Sequence, residues 1–274
     1  MIIKKTYPGG RKRAVTFSYD DGVGQDIALS AMLDRYALKC TFNINSGMFA
    51  AGAHVNEEYG SVVGRLSQKA VGVMYNGHEI AVHALNHPHL EALSREEVYR
   101  EISEDMKNLS ELAGYQVRGM AYPYGTYNDT VISVLSELGI VYSRTVASTE
   151  AFSPPENPLT LHPTCHHKNP RVLELIEQFK SSDEELALLY IWGHSYEFDF
   201  DHNWNHMEEI CRRASGINDA WYATNIEIVD YINASRQLEI TEKYVKNHSD
   251  SYLWFTKDRE LIRLAPEKEL VFEK

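Results

Sequence analysis

Short apolar runs alternate with amphipathic runs of helical period along most of this chain, and no other feature restricts its fold as strongly. Strand-like runs fall at residues 14–18 (AVTFS), 40–44 (CTFNI), 79–84 (EIAVHA), 117–122 (VRGMAY), 141–147 (VYSRTVA), 159–162 (LTLH) and 186–193 (LALLYIWG). Between several of them, helical patterns cover residues 26–36, 94–113, 128–138, 170–181 and 207–215. The sequence SREE at 94–97 is a capping box ahead of an apolar repeat through Val98, Ile102, Met106, Leu109 and Leu112, and Gly114 supplies the stop. Strands separated by helices of this length imply parallel βα units, and about seven of them predict a barrel, with an open doubly wound sheet as the alternative. From Thr241 the pattern changes: SYLWFT and ELIRLAP flank the charged turn KDR, which predicts a short β-hairpin closing on the barrel. The reading is a single domain over residues 1–274, with a core over about 12–236 and a C-terminal β extension over about 241–274.

Composition narrows the partners. With 274 residues and 43% hydrophobic content the chain can bury one substantial core. Its 39 acidic residues outnumber 27 basic ones, and the longest basic run is Arg11–Lys12–Arg13, so a nucleic-acid partner is not expected. Cys40, Cys165 and Cys211 are far apart and form no metal-binding pair, which suits buried thiols in a reducing compartment. MIIKKTYPGG has no apolar run of signal-peptide length and no segment has the roughly 18 apolar residues of a membrane span, so a cytoplasmic, membrane-free location is expected.

The chemistry gathers where strands end. In a βα barrel the loops after the strands build the site, which gives weight to Asp20 and Asp21 in TFSYDDGVG and to His83 and His87 in HEIAVHALNHPHL. A carboxylate and two imidazoles from separate loops make a three-ligand set with open positions, the pattern of a catalytic zinc-type centre. The adjacent aspartates can then divide the work, one binding a cation and the other free to take a proton, with the cation offsetting their repulsion. An HExxH zinc-protease motif is absent.

Taken in order, TFSYDDG, GHEIAVHALNHP, AYPYG and IWGH resemble the motifs of the polysaccharide deacetylases of carbohydrate esterase family 4, over roughly residues 12–236. The resemblance implies a distorted (β/α) barrel and a metal-dependent hydrolysis of acetyl groups on sugars, with an acetylated oligosaccharide as partner. Matched residue by residue, it implies Asp20 as general base and Asp21, His83 and His87 as ligands of a divalent metal, zinc first, with cobalt, nickel or manganese as alternatives. It also implies His194 as general acid and the Tyr124 backbone N–H as donor to the oxyanion. Tyr122 and Trp192, aromatics near the expected mouth, are candidates to bind substrate, with a place in the barrel core as the alternative; Trp192 falls where the family usually carries an aliphatic residue. Ala121 stands where the third motif has an arginine, and the aspartate and tryptophan of the fourth motif have no clear counterpart. Arg144, at the end of the next strand-like run, is the candidate to replace that arginine; its alternative is a barrel-end salt bridge. Two further function classes are a metal-dependent amidase on a small cyclic or linear amide and a non-catalytic carbohydrate-binding relative.

Overall fold

All eight residues of Arg13–Asp20 are buried, which is the pattern of a central parallel strand covered on both faces. The computed structural model describes residues 2–50, 54–56 and 61–272. Its first half runs β1 (Ile3–Thr6), β2 (Arg13–Asp20), α1 (Asp26–Arg35), β3 (Cys40–Ile44), β4 (His54–Asn56), β5 (Ser61–Val63), α2 (Gln68–Met74), β6 (Glu79–Val82) and α3 (Arg95–Ala113). There follow β7 (Gly119–Ala121), α4 (Asp129–Leu138), β8 (Tyr142–Arg144), β9 (Cys165–His166), α5 (Val172–Lys180), β10 (Ala187–Gly193), α6 (Glu197–Phe200), α7 (Trp204–Ala214), β11 (Ala220–Tyr222) and α8 (Asn225–Ser235). The tail is β12 (Leu238–Ile240), β13 (Tyr244–Asn247), β14 (Leu253–Lys257), β15 (Glu260–Leu264) and β16 (Glu269–Val271).

The central sheet has the order β8-β7-β6-β3-β2-β10-β9, with β11 added beside β2, and its pairs are parallel. It curls into a half-barrel with helices outside, which is the expected distorted (β/α) barrel. At the β8 edge a single parallel bridge, Arg144 to Leu161, adds the segment that leads on to β9. Residues 159–162 are therefore not the strand that their apolar character predicts. Pro158, which has no N–H, opens a 3-10 turn over Pro158–Thr160, and the strand of this unit is the two-residue β9. The capping box at Ser94 forms as read, with Gly114 in the left-handed conformation after α3.

Helix α8, which the periodicity did not reveal, plugs the interior of the barrel with its N-terminus. Asn225 N donates to Thr41 Oγ1 at 3.0 Å, Ile226 N to Glu79 Oε2 at 2.9 Å, and Asn225 Nδ2 to Tyr190 Oη at 2.6 Å. A carboxyl at a helix N-terminus is well placed, because exposed N–H groups converge on it. The hairpin β14–β15 forms where expected, but it pairs with β1 and not with the barrel sheet. Beside it, β12, β13 and β16 make a second three-stranded sheet. Leu253, Phe255 and Leu264 pack into the same buried cluster as Tyr7, Ala14 and Leu188, so this extension closes one side of the core. The three cysteines are free and buried, and no helix among the described residues is long and apolar enough to cross a membrane.

Candidate active site

The C-terminal ends of β2, β6, β8 and β10 deliver Asp20, His83, Arg144 and His194 to one place. Asp20, the last residue of β2, is buried. Its register partner on β3 is Asn43, whose Nδ2 donates to Asp20 Oδ1 at 2.7 Å. Its other oxygen, Oδ2, is bonded by Arg144 Nη2 and lies 3.9 Å from both His83 Nε2 and His194 Nε2. Burial alone would raise the Asp20 pKa, but the guanidinium of Arg144 and the two imidazoles outweigh it and hold the carboxyl below its ordinary range. Arg144 is fully buried, with its Cζ 4.2 Å over the Trp192 ring. Ala121 and Arg144 are register partners on neighbouring strands, so the guanidinium enters at the same level as position 121, one strand along.

Asp21 turns away from its neighbour because the chain leaves the strand there, with φ +87° at Asp21 and +62° at Gly22. Asp21 Oδ1 faces His87 Nε2 at 3.8 Å, and the donor atoms of Asp21, His83 and His87 lie within 4.8 Å of one another. Arg65 Nη1 approaches Asp21 Oδ1 to 2.8 Å, yet its protons go to the Asp21 carbonyl and Asn45 Oδ1. Oδ1 is thus buried without a directed hydrogen bond, which leaves lone-pair capacity for a further cation. Arg65 still counts electrostatically, since with burial working the other way it helps bring the Asp21 pKa down to about 2.

The histidine loop is held from behind. His83 Nδ1 contacts the Ala121 carbonyl at 2.8 Å, which places the ring proton there and leaves Nε2 with its lone pair toward the site. Burial lowers the His83 pKa to about 4 and also lowers that of His87, so both imidazoles are neutral donors. Ala84 and His87 have φ of +59° and +56°, a conformation that needs external support. Asn45 Nδ2 supplies part of it by donating to the Ala84 carbonyl at 2.7 Å. Glu101, one turn before Asp105 on α3, accepts from Asn86 N and Nδ2, both at 2.9 Å. Asp105 accepts from His83 N at 3.1 Å and Ser46 N at 2.7 Å.

On the opposite wall, His194 Nδ1 lies 3.2 Å from Glu197 Oε2, and His194 N donates to the same oxygen at 3.1 Å. Burial would lower the His194 pKa, but the Glu197 hydrogen bond and the charges of Asp20 and Asp21 prevail and raise it. Glu197 thus occupies the role for which the sequence showed no carboxylate. Its only sequence signal is the spacing of three residues from His194, which the turn leading into α6, closed by Glu197 N donating to the His194 carbonyl at 3.2 Å, converts into contact. The pair His166–His167 at the end of β9 also reaches this wall, with His166 Nε2 3.1 Å from Glu197 Oε2. Gly193 admits the His167 ring, because a Cβ there would overlap it.

The two residues expected at substrate-facing positions, Trp192 and Tyr122, are both buried. Trp192 stands between Arg144 and His194, its ring centroid 5.7 Å from that of His194, and its Nε1 is buried without a partner. Tyr122 does not face the cleft as a stacking platform: it is 1% exposed, its hydroxyl donates to the Leu159 carbonyl at 2.7 Å, and its ring stacks on Tyr127. The strand ends one residue before it, and the alternation of faces turns it into the core. Tyr124 sits in the turn Pro123–Gly125 with φ +57°, its ring edge against His87 at 4.5 Å and stacked on His89 at 3.8 Å.

Comparison with known proteins bears on this arrangement. Residues 8–143 match the family model described as polysaccharide deacetylase. The chain carries a polysaccharide deacetylase-family domain. Among curated relatives, the peptidoglycan-N-acetylglucosamine deacetylase of Listeria monocytogenes is 27% identical over 140 residues, 50% of this chain and 26% of that protein. The chitooligosaccharide deacetylase of Azorhizobium caulinodans is 28% identical over 130 residues, 46% of this chain and 55% of that protein. The matches therefore span about a quarter and about half of those proteins' lengths. A Mycobacterium smegmatis structure titled as a polysaccharide deacetylase superposes with a TM-score of 0.59 over 85% of this chain and 94% of that one, at 16% identity. At that identity the likeness concerns the fold.

Proposed function

We propose that this chain is a metal-dependent hydrolase that removes acetyl groups from an acetylated oligosaccharide. The observation that carries the reading is the position of Asp20, whose Oδ2 is anchored by Arg144 and lies 3.9 Å from a candidate ligand, His83 Nε2, and 3.9 Å from a candidate acid, His194 Nε2. Asp21 Oδ1, His83 Nε2 and the His87 imidazole fit a divalent ion of borderline softness, because one oxygen and two neutral nitrogens leave coordination positions open. Zinc suits this set first, with cobalt, nickel or manganese able to replace it. Bound there, such an ion supplies Lewis acidity to the acyl carbonyl and acidity to a water.

The protein's own groups do the rest. Asp20, kept ionised by Arg144, takes a proton from the attacking water while Asn43 and Arg144 hold its two oxygens in place. The Tyr124 N–H, presented by the turn after Pro123, is the donor assigned to the developing oxyanion. His194, protonated and oriented by Glu197, gives its Nε2 proton to the departing amine or alcohol as the C–N or C–O bond breaks. Acetate and a free amino or hydroxyl group result. The alternative of a small-amide amidase, which the lack of an arginine at position 121 and the short chain allow, loses the first of those grounds to Arg144.

The test is acetate release from a panel of N- and O-acetylated oligosaccharides, measured with and without chelator and with Asp20→Asn. Release that stops with chelator, returns with metal and is lost in a metal-replete Asp20→Asn protein supports the proposal. Turnover that persists in the chelated protein refutes it.

A further inference from the structure

Glu197 gathers more nitrogen donors than orientation of His194 requires. His166 Nε2, His194 Nδ1 and His167 Nε2 lie 3.1, 3.2 and 3.5 Å from its Oε2, while Lys168 Nζ holds Oε1 at 3.1 Å. We propose that His166, His194 and Glu197, backed by His167, form a second divalent-cation site beside the catalytic one. The donor atoms of His166, His194 and Glu197 lie within 4.8 Å of one another, compatible with ligands around one ion at about 2.0–2.2 Å each.

His167 supplies an independent reason. Its side chain is fully buried, and its Nε2 has no hydrogen-bond partner. Tyr19 Oη lies 3.3 Å from His167 Nδ1 and donates to Met207 Sδ at 3.3 Å. In the tautomer that carries its proton on Nδ1, toward the phenol oxygen, Nε2 presents a lone pair to a cation held at the Glu197 carboxylate. A lone pair opposite a carboxylate in a buried position is unfavourable until a cation lies between them. Imidazole nitrogens with one carboxylate select zinc, nickel, cobalt or copper over magnesium or calcium.

Two features make this site weaker than that of Asp21, His83 and His87. Lys168 brings a like charge to its edge. His166 Nδ1 accepts from Lys168 N at 3.1 Å, and this hydrogen bond must break when the proton moves to Nδ1 so that Nε2 can coordinate. The second ion therefore binds only at higher metal concentration. Its consequence rests on the proposed role of His194 as general acid: a ring coordinated through Nδ1 keeps only the Nε2 proton of a neutral imidazole, which is released far less readily than that of an imidazolium. Excess metal should then inhibit turnover through this site.

The experiment is equilibrium dialysis of the full chain against increasing zinc, with metal content measured by mass spectrometry. The wild type should bind two ions, the second at a concentration at least tenfold higher than the first. His166→Ala should retain the first and lose the second, and Asp21→Ala/His83→Ala should do the reverse. In parallel, zinc inhibition of acetate release, measured relative to each protein's own rate at low zinc, should move at least tenfold higher in His166→Ala. A single ion in the wild type up to millimolar zinc, or a second ion that survives His166→Ala with unchanged affinity, overturns the site. These stoichiometries are independent of turnover, so they decide the matter even for a protein that releases no acetate.

Discussion

The ion pair between Asp20 and Arg144 makes the most searching prediction, because both partners are buried and the pair links β2 to β8 across the barrel. Removing one member leaves an uncompensated charge inside the protein, a loss of about 3–5 kcal/mol, whereas removing both leaves none. At an effective dielectric of 20, two unit charges about 4 Å apart attract by about 4 kcal/mol, and His83 and His194 share in balancing Asp20. A double-mutant cycle of Arg144→Met and Asp20→Asn, followed by denaturant unfolding, should therefore show a coupling of at least about 2 kcal/mol, with the double variant more stable than the sum of the singles implies. Catalysis adds a second readout. Arg144→Lys keeps a charge but loses the planar fork that aims the carboxylate, so kcat should fall by about tenfold to a hundredfold with metal content unchanged; Arg144→Met should lose more. Coupling below about 0.5 kcal/mol, or parental turnover in Arg144→Lys, would show that the base is oriented by something else.

The remaining predictions follow from the same contacts. Asp20→Asn should keep stoichiometric metal and lose most of kcat, whereas Asp21→Ala and His83→Ala should lose metal affinity, all read by mass spectrometry beside acetate release. Glu197→Gln should move the basic limb of the pH–rate profile to lower pH, since the Glu197 hydrogen bond helps raise the His194 pKa against the effect of burial. Burial lifts the Glu79 pKa from 4.5 to about 7, so between those values the unfolded chain ionises first and stability falls as pH rises, by about 3 kcal/mol in all. Glu79→Gln should flatten that decline in unfolding experiments across pH 4.5–7; an unchanged slope would mean that Glu79 is already ionised in the fold.

Where local pattern decides conformation, the sequence could be read closely. The run CTFNI is the strand Cys40–Ile44, and the capping box at Ser94 starts α3 as its residues dictate, because each depends on neighbours within a turn or a strand. The pattern failed where a partner far along the chain sets the outcome. LTLH is apolar enough for a strand, but Pro158 turns the chain there and β9 needs only two residues to pair with β10. Helix α8 went unseen because its N-terminus, not only one apolar face, is buried against Thr41 and Glu79. The same division runs through the site. Asp20, Asp21, His83 and His87 could be picked out from residue type and position at strand ends, while Glu197, Arg65 and the His166–His167 pair could not.

By itself, the amino-acid sequence determined that parallel βα units would form and which residue types would stand at their ends, since burial periodicity and caps are local properties of the chain. Only the tertiary structure decided which of those ends meet. The curl of the sheet brings residues 20, 83, 144 and 194 to contact distances, although no local pattern specifies neighbours that far apart. It also chose Arg144 over Ala121 as the source of the guanidinium, because register across β7 and β8 sets the two at one level and a long, charged side chain buried on one strand can reach a carboxylate that a methyl group on the next cannot.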